Sequence, residues 1–453
     1  LSAEKDVEVM LGDPRKAILS MVIPIVIAFL IGQINMFVDS MWCSSLGVNA
    51  ISAISLVSSL YFLVMGIGNG IGVGLNVVIS RFIGAGDRES AEDRLAQIIV
   101  LTTVIGVILT PILVYLMDPI VILIGGEEIL AECRDYLLPM FILCVFTMHT
   151  GILSGAMRGE GASKRSSLYI ALSAVLNMVL DPLLIIVLDL GLMGASLATM
   201  FASVFTTVLM LRYYMTGRSY IALKLKGFKF NLRSTYDVMY VGIPQMLELN
   251  VMSLMNLILV SLVISTGGPE GLAIYNMPWR IVSLVMVFPQ AFASAMVPVC
   301  SASIGQNDPE RLKTGYYYTV KQSTLLGVVI SIAVAILAPI IVYSFTYDAS
   351  MIMYREEMAR VVRIYCLFMP FYGLIYVGSS MLSALKKSTY ALVSAFVRNL
   401  VLIAIFVVAS YHDMEWFYWG LTLGEIFGGV LMMALAHWQY RKEYRHLTAA
   451  VPA

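Results

Sequence analysis

The sequence predicts an all-α integral membrane protein of twelve transmembrane helices, built as two pseudo-symmetric six-helix bundles, an N-lobe and a C-lobe, around a central cleft. Three observations predict it. Of 453 residues, 59% are apolar and only 13% charged, where a soluble domain carries roughly 25% charged residues. The apolar residues fall into twelve runs, each long enough to supply the ~20 residues that a ~30 Å hydrocarbon core demands of a helix. A basic stretch near the midpoint divides the chain, and sequence on one side of it returns on the other.

The first six runs read Ala17 to Trp42, Ile51 to Ser80, Leu95 to Met117, Tyr136 to Met157, Ser167 to Leu188 and Gly191 to Leu211. The second six read Val238 to Ile264, Ile274 to Ala302, Tyr316 to Tyr343, Val361 to Leu385, Thr389 to Tyr411 and Trp416 to Tyr440. Between them lies the linker, with Arg218, Lys224, Lys226, Lys229 and Arg233. The expected division is an N-lobe over 1–211, a linker over 212–235 and a C-lobe over 236–453. Ile23-Pro24 returns as Ile243-Pro244, displaced by 220 residues, and Ile83-Gly84-Ala85-Gly86-Asp87 returns as Ile304-Gly305-Gln306-Asn307-Asp308, displaced by 221. Leu153-Ser154-Gly155 and Leu382-Ser383-Ala384 close helices 4 and 10. Six helices per half is an even number, so the halves insert the same way and are related by an axis along the membrane normal.

Charge is sorted by loop. Most of the 29 basic residues lie in the even-numbered connections and at the two ends, whereas the odd-numbered connections hold Arg134 and Arg355 among Asp118, Glu127, Glu128, Glu132, Asp189, Glu270, Asp348 and Asp413. Basic loops stay on the cytoplasmic side, which predicts a multi-pass plasma-membrane protein with both termini cytoplasmic. The segment Leu1 to Lys16 mixes four acids with three bases and has no apolar core, unlike a cleavable signal peptide. Zero net charge gives no reason to expect a nucleic-acid partner. The five cysteines include no CxxC pair, which argues against a zinc site; Cys43 and Cys133 share a side but are not expected to pair.

An ionisable group inside a span costs at least ~2.5 kcal/mol on insertion scales, so each needs a partner or a purpose. Asp39 lies toward the outer end of helix 1. Asn177 and Asp181 share one face of helix 5 at i and i+4, and Thr199 of helix 6 lies at a compatible depth. These are hard oxygen donors suited to Na⁺ or to protons. The plainer alternatives stay open: Asp39 capping its helix, and Asp181 hydrogen-bonded inside the bundle. The second half has Leu402 and Ile403 where Asp181 would be, so ion coupling is expected to be lopsided. Glu248, Arg280, Lys321, Arg398 and Glu425 are expected to be buried, as ion pairs or along a substrate path. His149 is either simply hydrogen-bonded or a group titrating near neutrality.

Gly66, Gly68, Gly70, Gly72 and Gly74 lie mid-span in helix 2, with no preceding strand and no following lysine, so they read as packing positions and not as a phosphate loop. Pro24 marks a bend in helix 1, with Pro244, Pro289 and Pro298 as further bendable points. Among the 29 methionines, most serve packing, while flexible thioethers near the cleft suit dissimilar ligands. The candidate substrate cleft comprises Gln33, Asn35, Met36, Phe37, Tyr61, Met65, Asn69 and His149.

Taken together, the two-fold six-helix repeat, Ile23-Pro24 with Asn35-x-x-x-Asp39, Ile83-Gly84-Ala85-Gly86-Asp87, and Asn177-x-x-x-Asp181-Pro182 resemble the multidrug and toxic compound extrusion (MATE) transporters over the whole chain. Within the family the sequence is similar to the DinF-type branch, including archaeal members. The resemblance implies antiport: H⁺ or Na⁺ enters while a cationic or amphipathic drug-like compound leaves by alternating access. It implies a coupling site for H⁺ or Na⁺ at Asp39, Asn177, Asp181 and Thr199. With no metal cluster or nucleotide motif no cofactor is expected, and with no obvious dimer surface the expectation is a monomer in contact with membrane lipid. No aspartate lies in helix 10, unlike the NorM-type branch, which makes coupling through the C-lobe doubtful. A lipid-linked precursor flippase of the same superfamily is the alternative; only Arg280 and Arg398 are candidates for the cavity arginines such flippases carry. An enzyme is not expected, because no nucleophile, base and oxyanion donors recur at usable spacing.

Overall fold

The structure is a computed structural model that describes residues 3–345 and 352–450; Asp348 of the acidic connections lies outside them. Fourteen α-helices are present among the described residues. They are α1 (Ala3–Leu11), α2 (Pro14–Ser44), α3 (Val48–Gly84), α4 (Arg88–Leu123), α5 (Leu130–Ile142), α6 (Cys144–Gly159), α7 (Ser163–Pro182) and α8 (Gly191–Met215). After the linker come α9 (Leu232–Gly268), α10 (Glu270–Gly305), α11 (Pro309–Phe345), α12 (Arg355–Ala384), α13 (Ser388–Ala409) and α14 (Met414–Ala450). Eleven are apolar and long enough to cross a membrane, and α5 with α6 forms a twelfth span bent by 53°.

That bend corrects the reading of residues 136–157 as one run. Pro139 has no N–H to give the Asp135 carbonyl, and Ser196 Oγ donates to it instead at 3.3 Å. Four residues on, Leu143 leaves helical geometry (φ −102°, ψ 15°). The helices also extend past the apolar runs, because polar caps lie beyond them. Asp13 accepts from the Arg15 and Lys16 amides ahead of Pro14, and Asn231 accepts from those of Arg233 and Ser234, satisfying donors that a helix start leaves open.

The two copies of the Ile-Gly repeat perform the same local task. Gly86 (φ +76°) and Asn307 (φ +54°) take the left-handed conformation that ends α3 and α10. The next amide then reaches back five residues in each case, Asp87 to the Phe82 carbonyl at 2.9 Å and Asp308 to that of Ser303 at 3.0 Å, the hydrogen-bond pattern of a helix C-cap. Asp87 and Asp308 next cap the helices that follow, accepting from the Ser90 and Arg311 amides. At this turn the halves touch: a Cβ on Gly84 would strike the Ala302 carbonyl, and one on Gly305 that of Arg81.

The glycines of α3 serve two faces. Gly66, Gly70 and Gly74 abut Asn250, Met246 and Gly242 of α9, whereas Gly68 and Gly72 abut Met148 and Gly151 of α6. Spacings of four residues place each set on its own stripe, so α3 packs closely against both its own half and the other. Ala291, Ala295, Val299 and Ala302 of α10 join the first half's core at the end carrying both termini. Toward the far end, one cluster is built only from the first half, between Cys43 and Met200, while the second half's own cluster, between Leu259 and Leu447, runs from that end back to the termini. The halves therefore meet at the termini-bearing end and bound the cleft toward the far end.

Two features were not visible as apolar runs. α1 forms where no apolar core was expected, burying Val7 and Met10; Arg311 donates to the Met10 carbonyl and, from Nε at 3.0 Å, to that of Gly12. The linker is docked: Glu160 accepts from the Tyr220 and Ile221 amides, each at 3.2 Å, Glu92 from Ala222 at 3.0 Å, and Gln97 Oε1 from Asn231 at 3.0 Å.

Candidate ion site and substrate cleft

Asn177, Asp181, Thr199 and Asp39 are carried by α7, α8 and α2, toward the far end of the first half. α7 ends at Pro182 and widens into a π-turn over Leu183–Val187, where the Leu188 amide bonds to the Leu183 carbonyl at 2.9 Å. Such widened turns recur at functional positions. This one directly follows Asp181.

Asp181 is fully buried. Asn177 Nδ2 donates to Asp181 Oδ1 at 3.1 Å and, at 3.5 Å, to Thr199 Oγ1. Asp181 Oδ2 is buried with no protein donor. A carboxylate oxygen in that state costs on the order of 1–3 kcal/mol or more, a deficit that a proton or a bound cation removes. On α2, Asp39 is half-buried, and its Oδ1 accepts from Cys43 Sγ at 3.9 Å. Asp39, Cys43 and Asp181 lie within electrostatic reach of one another, as does the buried Tyr136 of α5. Asn35, one turn before Asp39, also has a buried Oδ1 without a donor.

Cys43 and Tyr136 were missed as neighbours of the site. The i, i+4 spacing from Asp39 carried a signal for Cys43; nothing local carried one for Tyr136, which arrives from another helix. Cys43 and Cys133 are both buried and free, in one apolar cluster. Among the described residues no group of three or more His, Cys, Asp or Glu side chains is arranged to hold a metal ion. The first-half set mixes two carboxylates with an amide and a hydroxyl.

The cleft candidates divide. Met36 and Phe37 are 61% and 63% exposed, Asn69 is exposed, and Gln33, Asn35, Tyr61 and Met65 are partly buried. His149 does not belong with them. It is buried, with Nε2 at 3.1 Å from Thr103 Oγ1 and Nδ1 at 2.7 Å from the Val145 carbonyl, so both ring nitrogens are already engaged.

In the second half Glu248 is buried as expected, accepting from Gln245 Nε2 at 2.6 Å and Ser379 Oγ at 2.9 Å, and Arg398 bonds Glu425 at 3.2 Å. Arg280 and Lys321 are exposed instead of buried. A run of apolar residues locates a charge along the helix but not around it, and these two occupy exposed positions.

A profile of the MatE family matches the chain twice, over residues 24–183 and 244–408. The chain is 26% identical over 390 residues, 85% of each protein, to the multidrug export protein MepA of Staphylococcus aureus strain MRSA252. Against MepA of Staphylococcus saprophyticus it is 24% identical over 425 residues, 93% of each. Among solved structures it superposes on a MATE crystal structure in complex with MaL6 at a TM-score of 0.93, with 25% identity over 97% of this chain and 99% of that one. It superposes on a MOP superfamily transporter from Pyrococcus furiosus at 0.92, with 25% identity over 97% and 98%.

Proposed function

Because the chain belongs to the MATE family, we propose that it is a multidrug antiporter that exports cationic or amphipathic organic compounds in exchange for H⁺ or Na⁺. The observation that carries the coupling site is the buried Asp181, one oxygen held by Asn177 and the other without a donor, within electrostatic reach of Asp39. Two like charges within electrostatic reach of each other in a poorly solvated site favour taking up a proton or a cation. Asp39, Asn177, Asp181 and Thr199 supply the oxygen ligands. Uptake neutralises the site, α2 bends near Pro24, where the missing N–H leaves the Ser20 carbonyl without its helical donor, and substrate loses its place. Substrate sits along Gln33, Asn35, Met36, Phe37, Tyr61, Met65 and Asn69.

With basic loops inside, the termini-bearing end is cytoplasmic and the cleft faces outward in a plasma membrane. The lobes on this reading are 1–211 and 236–453. The test is drug efflux from proteoliposomes under an imposed pH or Na⁺ gradient, for wild type beside Asp39→Asn and Asp181→Asn. One gradient should drive efflux and both variants should abolish it. Gradient-driven efflux that survives Asp39→Asn sinks the mechanism; drug movement under neither gradient sinks the exporter reading.

A further inference from the structure

The second half encloses a charged cavity that the ion site does not use. Arg398 of α13 and Glu425 of α14 are 3% and 4% exposed, joined by one bond from Nη1 to Oε2 at 3.2 Å. Arg398 Nε is buried with no acceptor. Beside the pair lies a cavity of about 260 Å³ between α9, α10, α12, α13 and α14, lined by Asn256, Tyr275, Asn276 and Trp279 as well as the two charges. Asn256 and Asn276 are exposed and form its mouth. Trp279 stacks on Phe368 at 6.0 Å and meets Tyr372 edge-on at 5.6 Å, giving a rigid aromatic wall.

A desolvated ion pair contributes little to stability unless its remaining donors are satisfied, and well-packed apolar residues commonly serve as well or better. This pair leaves a buried guanidinium N–H without an acceptor in a side chain that lines a cavity, an arrangement that packing alone does not explain. A lone cation entering the cavity would meet Arg398 with like charge, and a lone anion would meet Glu425. A ligand carrying both charges lies antiparallel to the pair, its carboxylate toward Arg398 and its ammonium toward Glu425. The volume falls just below the roughly 300–1,000 Å³ of drug-sized pockets, room for one ring system on the aromatic wall. We infer that this cavity is a binding site for small aromatic zwitterions, separate from the ion site of the first half.

The test is equilibrium binding to the full chain in lipid nanodiscs with no ion gradient, so that its outcome is independent of coupling. The radiolabelled probes are tryptophan, tryptamine, which lacks the carboxylate, and indole-3-propionate, which lacks the ammonium. Tryptophan should bind at least tenfold more tightly than either. Arg398→Met combined with Glu425→Gln, which removes both charges together, should erase that preference, and Asn276→Leu at the exposed mouth should weaken tryptophan binding severalfold without touching the pair. Equal binding of the three probes, binding of none to the folded wild type, or a preference that persists in a folded double variant would each show a structural ion pair only.

Discussion

Glu160 sits in the turn after α6, outside the spans, with its carboxyl buried against the linker. Burial pushes its pKa up to about 7, against the pull of the Ile221 and Tyr220 amides and of nearby Arg165. The docked carboxyl therefore holds its proton between about 4.5 and 7, a range in which the exposed group has lost it. The stability this contributes is complete below about 4.5, is lost as pH rises through about 7, and stays absent above. Glu160→Gln keeps an acceptor for the two amides without the titration. Thermal melting of the variant should vary less between pH 5 and 8 than that of wild type; identical profiles would remove Glu160 as the cause. The same scale shows what sequence could and could not disclose. Asn177 and Asp181 are four apart, so their hydrogen bond was readable, whereas the engagement of His149 by Thr103 and the exposure of Arg280 depend on how helices rotate against one another, which spacing within one helix does not record.

At the scale of elements, α3 carries the contacts that set how the halves approach. A side chain at Gly72 would run into the Gly151 carbonyl within the first half, and one at Gly70 into the Met246 backbone of the second. Overpacking of this kind costs typically 1–3 kcal/mol, yet the two sites should respond differently. Gly72→Val should lower the melting temperature and leave the distance between halves unchanged. Gly70→Val should lengthen a pulsed electron-resonance distance between labels on Glu89 and Lys313; an unchanged distance would mean that Met246 moves aside locally. The glycine run and the repeated turns were legible because packing and capping leave residue-level marks. The split of the fourth span was not, since Pro139 inside an apolar run fits either a kinked or an unbroken helix.

At the scale of the molecule, polar links join the halves at the termini-bearing end beyond the Arg311 bonds to the Met10 and Gly12 carbonyls. Asp237 of α9 lies 3.7 Å from Arg94 Nε of the first half while accepting Lys386 Nζ of its own half at 2.5 Å, and Arg81 donates across to the Ala384 carbonyl at 2.9 Å. Partly exposed pairs are worth on the order of 1 kcal/mol at most, about a fivefold change in an equilibrium. Asp237→Asn should shift the halves toward separation at this end by about that factor, read as the fraction of long distances between the same two labels. A shift absent at low salt would assign closure to the glycine contacts, the shared apolar core and the Arg311 bonds instead.

Residues 216–231 lie between α8 and α9 at this same end, folded onto Glu92, Gln97 and Glu160. Fully drawn out, such a stretch reaches roughly 50 Å, far more than any parting of the two halves requires. The tether thus holds spare length in reserve, reeled in by a handful of hydrogen bonds. Its release sets no limit on how wide this end can open, only on how soon.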